Sequence, residues 1–164
     1  QNHYGMSVVD IEDVRLNLEV VKNLERIGDL AMNLTEFFTM VASDKGQFTE
    51  DAVHEINAMF DHLVDMMDDS TEVYVTKNMD KYLELEEKET KMDRMEVDAR
   101  RHHFRRMADN ICVSPVAASV YCDVIGTLER MADHTCNIAK SAIFEMQDDI
   151  SPDELLPEGF THHS

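Results

Sequence analysis

Two eleven-residue stretches of this chain repeat each other at a distance of 104 positions (129 − 25). The first reads Leu24-Glu25-Arg26-Ile27-Gly28-Asp29-Leu30-Ala31-Met32-Asn33-Leu34. The second reads Leu128-Glu129-Arg130-Met131-Ala132-Asp133-His134-Thr135-Cys136-Asn137-Ile138. Leu, Glu, Arg, Asp and Asn recur in the same order, and the differences Ile/Met, Gly/Ala and Leu/Ile are conservative. A spacing this long marks a duplicated folding unit, not a short solenoid repeat.

The hydrophobic pattern says what the unit is made of. The chain has 164 residues but only 5 Gly and 3 Pro, so long stretches run without a breaker. Leu, Glu, Asp and Met dominate them, a mix that favours helix. From Val8 to Ala42, Leu16, Val20, Leu24, Ile27, Ala31, Leu34 and Phe38 recur at the three-to-four spacing of one helix face. Ser43-Asp44-Lys45-Gly46-Gln47 breaks that run. Thr49 reads as an N-cap, with Glu50 and Asp51 in the following turn. The second helix carries Ile56, Met59, Leu63, Met66, Ser70 and Val73, and turns at Thr76-Lys77-Asn78. A third runs from about Met79 to Ala108 behind a narrow stripe of Leu85, Met92, Met95 and Ala99. Asp109 to Val113 connects it to a fourth, opened by Ser114-Pro115 and ending near Met146. The rest, 147–164, reads as a loose acidic tail. The expected class is all-α. The second to fourth helices form one complete three-helix bundle over 49–146, and the first, 8–42, is the last helix of a preceding bundle. The chain starts without Met and lacks the other helices of that bundle, as a fragment does. A lone helix with so long a stripe needs a partner, either the second bundle, another chain or preceding residues.

Charge narrows the function. With 34 acidic and 15 basic residues the net charge is −19, which repels nucleic acid and anionic lipid. It suits metal cations, a basic protein partner, or solubility alone. Three cysteines (Cys112, Cys122, Cys136) without CxxC spacing argue against a disulfide framework and fit a reducing compartment. No apolar run reaches the ~20 residues needed to span a bilayer.

Within the repeat, Glu25 and Asp29 stand four residues apart and reach one patch of helix surface, as do Glu129 and Asp133. Such pairs chelate hard or borderline cations through oxygen, but one pair offers too few ligands. The third helix supplies another Glu-x-x-x-Asp in Glu89 and Asp93, with Glu96 one turn on. The bundle arrangement sets Glu89 and Asp93 beside Glu129 and Asp133, where crowded carboxylates repel and a cation relieves them. His134 could add a nitrogen ligand, although a polar helix residue is the simpler reading. Asp61, Asp65 and Asp69, near His62, read as a solvated face. The one basic run, Arg100 to Arg106, ends a helix where positive charge suits the dipole, or forms a docking patch. The methionines read as core filler.

The repeated Glu-Arg-Ile-Gly-Asp and Glu-Arg-Met-Ala-Asp-His, with Asn33 and Asn137 downstream, resemble the signature of PhoU domains, over roughly Val8 to Ala142. The resemblance implies cytosolic regulators of phosphate uptake that act with a phosphate transporter, on the same or a separate chain. It implies iron or zinc clusters at the acidic motifs, here Glu129, Asp133, Glu25, Asp29, Glu89 and Asp93. Cys112-Val113-Ser114-Pro115 resembles the cytosolic tail of bacterial sodium/phosphate cotransporters more than free PhoU. Departures are Ala132 for Gly28, and Leu30 where the family often has His. A homodimer through the first helix, with no enzymatic activity, no membrane insertion and no nucleic-acid partner, completes this expectation. Two rival classes are a purely structural docking scaffold and a di-iron carboxylate enzyme. The latter needs Glu-x-x-His on paired helices, and none occurs; Asp51-Ala52-Val53-His54 is nearest.

Overall fold

Each helix starts where its capping chemistry is encoded. Ser7 Oγ accepts the Asp10 amide at 3.2 Å while Asp10 Oδ2 accepts the Ser7 amide at 3.2 Å, a reciprocal box. Thr49 Oγ1 accepts from the Ala52 amide at 3.1 Å, Asn78 Oδ1 from Lys81 at 3.1 Å, and Ser114 Oγ from Ala117 at 3.3 Å. The computed structural model describes residues 7–111 and 114–147. Among them run α1 (Val8–Ser43), α2 (Glu50–Thr76), α3 (Met79–Ala108) and α4 (Pro115–Gln147), so the chain is all-α as the periodicity predicts. Cys112, Val113 and all of the expected tail after Gln147 lie outside the described residues.

α2, α3 and α4 form a three-helix bundle. Ile56, Met59, Leu63, Met66, Ser70 and Val73 are all buried, in the alternating three-four spacing of a heptad seam. α3 buries Leu85, Met92, Ala99 and Arg106, every seventh residue, which is why so polar a helix still belongs to the core. α4 is central and packs against all three others. It is accordingly apolar on two sides, with Val124, Ile125, Leu128, Ala132, Ala139 and Ile143 at most 2% exposed. Each large apolar side chain buried here contributes about 1.5–3 kcal/mol.

Ion pairs set the register of α2 on α3. Asp69 is buried, with Lys81 Nζ at 3.3 Å from Oδ1 and Lys88 Nζ at 2.6 Å from Oδ2. The expected solvated face therefore holds for Asp61 and Asp65 but not for Asp69, which lies one step closer to α3. His62 Nε2 bonds the Lys88 carbonyl at 2.7 Å. The basic run is also largely used inside the bundle. Arg106 Nη1 donates to Glu55 Oε1 at 2.5 Å, His102 Nδ1 lies 3.0 Å from Glu55 Oε2, and His103 stacks on Tyr121 at 4.7 Å.

α1 lies along α4 alone, apart from slight contact such as Tyr74 Oη donating to Asn17 Oδ1 at 2.7 Å. Its buried residues are Leu16, Asn23, Leu34 and Val41. Of the stripe expected from the sequence, Ile27 and Ala31 are half-buried, while Leu24 is 53% and Phe38 37% exposed. The difference has a simple cause: only α4 covers α1, so a broad apolar face is half used. The turn after α1 presses onto the start of α4. A Cβ at Gly46 would meet Ser114 Oγ at 2.4 Å and Val116 Cγ1 at 2.7 Å.

Candidate metal centre

The two Glu-x-x-x-Asp motifs of α3 and α4 face each other across the bundle. Four-residue spacing stacks Glu89 on Asp93 and Glu129 on Asp133, and helix packing brings the two stacks together. One oxygen from each of Asp93, Glu129 and Asp133 lies within 4.8 Å of the others. Glu89 adds its charge from α3 beside Asp133, and Glu129 feels the charges of Asp133 and Glu96. Burial, then the Asp133 charge, push the Glu129 carboxyl up to about 8, and burial and Asp133 raise Glu89 in the same way.

Among the described residues, no Lys or Arg nitrogen lies within salt-bridge distance of the four carboxylates. Arg100, further along α3, is held by Glu96 at 2.7 Å. The donor set fits a divalent cation: three carboxylates from two helices, exposed Asp93 with half-buried Glu129 and Asp133, and half-buried Glu89 adding its charge beside Asp133, with mutual repulsion that a cation would relieve. When bound, such an ion supplies positive charge that ties α3 to α4.

Of the expected site residues, the structure brings Asp93, Glu129 and Asp133 together, with Glu89 under the influence of Asp133. Glu25 and Asp29 are exposed on α1, and among the described residues no third ligand group joins them. His134 turns toward α1, where its Nδ1 lies 3.1 Å from Asn23 Oδ1. On the other side of Asp133, Cys136 is buried in the apolar core, and its thiol is pushed up first by that burial and then by the Glu89 charge.

The PhoU domain family matches residues 56–142, more than half of the chain, from the second turn of α2 through most of α4 and including all four carboxylates. The chain belongs to the PhoU family. It is 28% identical over 127 residues to the phosphate-specific transport system accessory protein PhoU homolog 1 of Thermotoga maritima, covering 77% of this chain and 53% of that protein. The corresponding PhoU homolog of Clostridium acetobutylicum is 26% identical over 136 residues, 82% of this chain and 60% of the relative. PhoU homolog 1 of Mycobacterium leprae is 24% identical over 153 residues, 90% and 65%. The chain thus spans between half and two thirds of the length of these relatives. No solved structure gives a significant match. No described helix is long and apolar enough to cross a membrane.

Proposed function

We propose that this chain is a regulatory module of phosphate uptake, acting at the cytosolic face of a phosphate transporter. In this reading Glu89, Asp93, Glu129 and Asp133 hold iron or zinc. The observation that carries it is the opposed carboxylates of α3 and α4, with no Lys or Arg ion pair among the described residues, inside the segment that matches the family. The relatives' names, accessory proteins of phosphate-specific transport systems, support the transport link. Metal closes the α3–α4 contact and biases docking of the bundle. Elemental analysis of tag-free protein prepared without chelator tests the site. At least one equivalent of iron or zinc, lost in Glu129→Ala/Asp133→Ala, supports it. Protein without metal moves the weight to a docking scaffold. Phosphate flux unchanged on deletion, in both rich and starved cells, would sink the regulatory role.

The repeat supports a reading of the open face of α1. Adding 104 converts Val20, Leu24 and Ile27 into Val124, Leu128 and Met131, all buried in the bundle. That face therefore receives two helices equivalent to α2 and α3, supplied by a longer form of the chain. They would bring Glu25 and Asp29 the partners for a second metal. A second reading follows from the exposed Val14, Leu18, Val21 and Leu24: α1 pairs across a homodimer. Light scattering on this chain separates them, since a monomer excludes the dimer.

A further inference from the structure

α3 carries a second pattern on the side away from the bundle. Leu83, Thr90, Val97 and Phe104 recur at every seventh position, and all four are exposed. Residues seven apart drift by only about 20° around a helix, so these four form one line. Its apolar members stand well out in solvent, Leu83 at 50%, Val97 at 58% and Phe104 at 57% exposure. Beside it runs a line of exposed charge with the same spacing, Asp80, Glu87, Arg94 and Arg101. Both acids lie toward the N-terminal end of α3 and both arginines toward its C-terminal end. Among the described residues Asp80, Glu87 and Arg94 form no ion pair, and Arg101 reaches only Asp98 of its own helix, at 2.7 Å. The two lines together make a face that is half acidic and half basic along an apolar seam.

A partner of one sign would meet half of this face with like charge. A second copy of the chain, turned antiparallel, meets both halves with opposite charge. With the twofold axis passing beside Thr90, Asp80 comes opposite Arg101 and Glu87 opposite Arg94, and symmetry makes each pair twice. The same register sets Leu83 against Val97. A parallel arrangement would stack acids on acids and arginines on arginines, so charge selects the direction. We propose that the outer face of α3 is the contact of a symmetric antiparallel homodimer, keyed by the Asp80–Arg101 and Glu87–Arg94 pairs. It does not compete with helices laid over α1, because α3 packs on α2 and α4. It also stands apart from the metal reading. The apolar area is small, so association is reversible. At ~0.15 M salt charges more than about 8 Å apart are largely screened, so the net charge of −19 on each copy opposes the contact little and the facing pairs decide it.

Sedimentation velocity on the full chain over a range of concentrations tests this, and a monomer–dimer equilibrium is expected. Glu87→Arg and Arg94→Glu each set like charges opposite one another and should weaken the dimer at least about tenfold. The double variant Glu87→Arg/Arg94→Glu restores opposite charges and should recover the native association. Both positions are exposed, and far-ultraviolet circular dichroism checks that the variants stay helical. Thr90→Cys gives an independent readout. Lying beside the axis, it should yield a disulfide-linked dimer on mild oxidation with diamide, which the native chain does not. A monomer at every concentration overturns the proposal. A dimer that tolerates both single reversals overturns it too, and Leu18→Glu then shows whether α1 holds that dimer. A dimer lost in the single variants and not regained in the double one overturns the antiparallel pairing, as does the absence of the Thr90→Cys cross-link.

Discussion

α1 and α4 carry the same motif in opposite circumstances. Leu128 is fully buried between α2 and α3, while Leu24, its counterpart, is 53% exposed. Asp133 meets Glu89 across a helix interface, whereas Asp29 projects from α1 without a third ligand group nearby among the described residues. Ala132 is buried, but a Cβ at its counterpart Gly28 would meet nothing within 4 Å. One motif, two environments: a Glu-x-x-x-Asp pair becomes a candidate site only when a second helix with its own pair lies against it. The motif's leucine likewise becomes core only when helices cover it.

The sharpest way to break this comparison is to truncate the two leucines. Leu128→Ala should destabilise the chain by about 2–5 kcal/mol in urea unfolding, through lost transfer energy and a cavity. A similar loss for Leu24→Ala would mean that its face is covered in solution. Next in size is metal affinity. Glu25→Gln/Asp29→Asn should leave the metal content of this chain unchanged, while Glu129→Gln/Asp133→Asn lowers affinity by more than about tenfold, measured by competition with a chelating dye.

The acidic cluster should also mark the pH dependence. Glu129 has an ordinary carboxyl value of 4.5 unfolded and about 8 in the folded, metal-free chain. Between those values the folded state binds the extra proton, so stability falls as pH rises through that window and levels off above it. Glu129→Gln should flatten that slope in urea titrations at several pH values. His103 works on the acid side. Burial, with help from Arg106, lowers its value below 6.5, so acidification below that point protonates the unfolded chain first and costs stability. His103→Phe should reduce the loss.

Smaller effects refine the picture at the α1–α4 contact. Asn23, buried with Oδ1 facing His134 and Nδ2 donating to the Glu19 carbonyl at 2.9 Å, should cost about 1 kcal/mol as Asn23→Ala, detected by protease sensitivity of α1. Gly28→Ala should stabilise by roughly 0.5–1 kcal/mol through helix propensity alone, because its surroundings are open. Leu24→Ala should be smallest of all, below about 0.5 kcal/mol.

Much of this was legible beforehand. The ends of the four helices agree with the sequence reading to within a residue or so, because Thr49, Asn78 and Ser114-Pro115 act on amides only a few positions away. The facing of Glu89 and Asp93 on Glu129 and Asp133 was legible too, since neighbouring helices of a three-helix bundle must share a seam. Asp69 was not: its four-residue spacing with Asp61 and Asp65 looks like solvent, and only its ion pairs with Lys81 and Lys88 from α3 set it apart as buried. Tyr121 was equally hidden, because nothing local says that His103 and the Arg106 guanidinium will flank its ring.

Local chemistry in the chain therefore determined the helices, their caps, their apolar spacing and the family signature, all of which act over one or two turns. Tertiary structure decided which of two near-identical motifs acquires a partner and which aspartate is buried. Those outcomes depend on the rotation and register of one helix against another, and that is set by the whole packed interface instead of by neighbours in sequence.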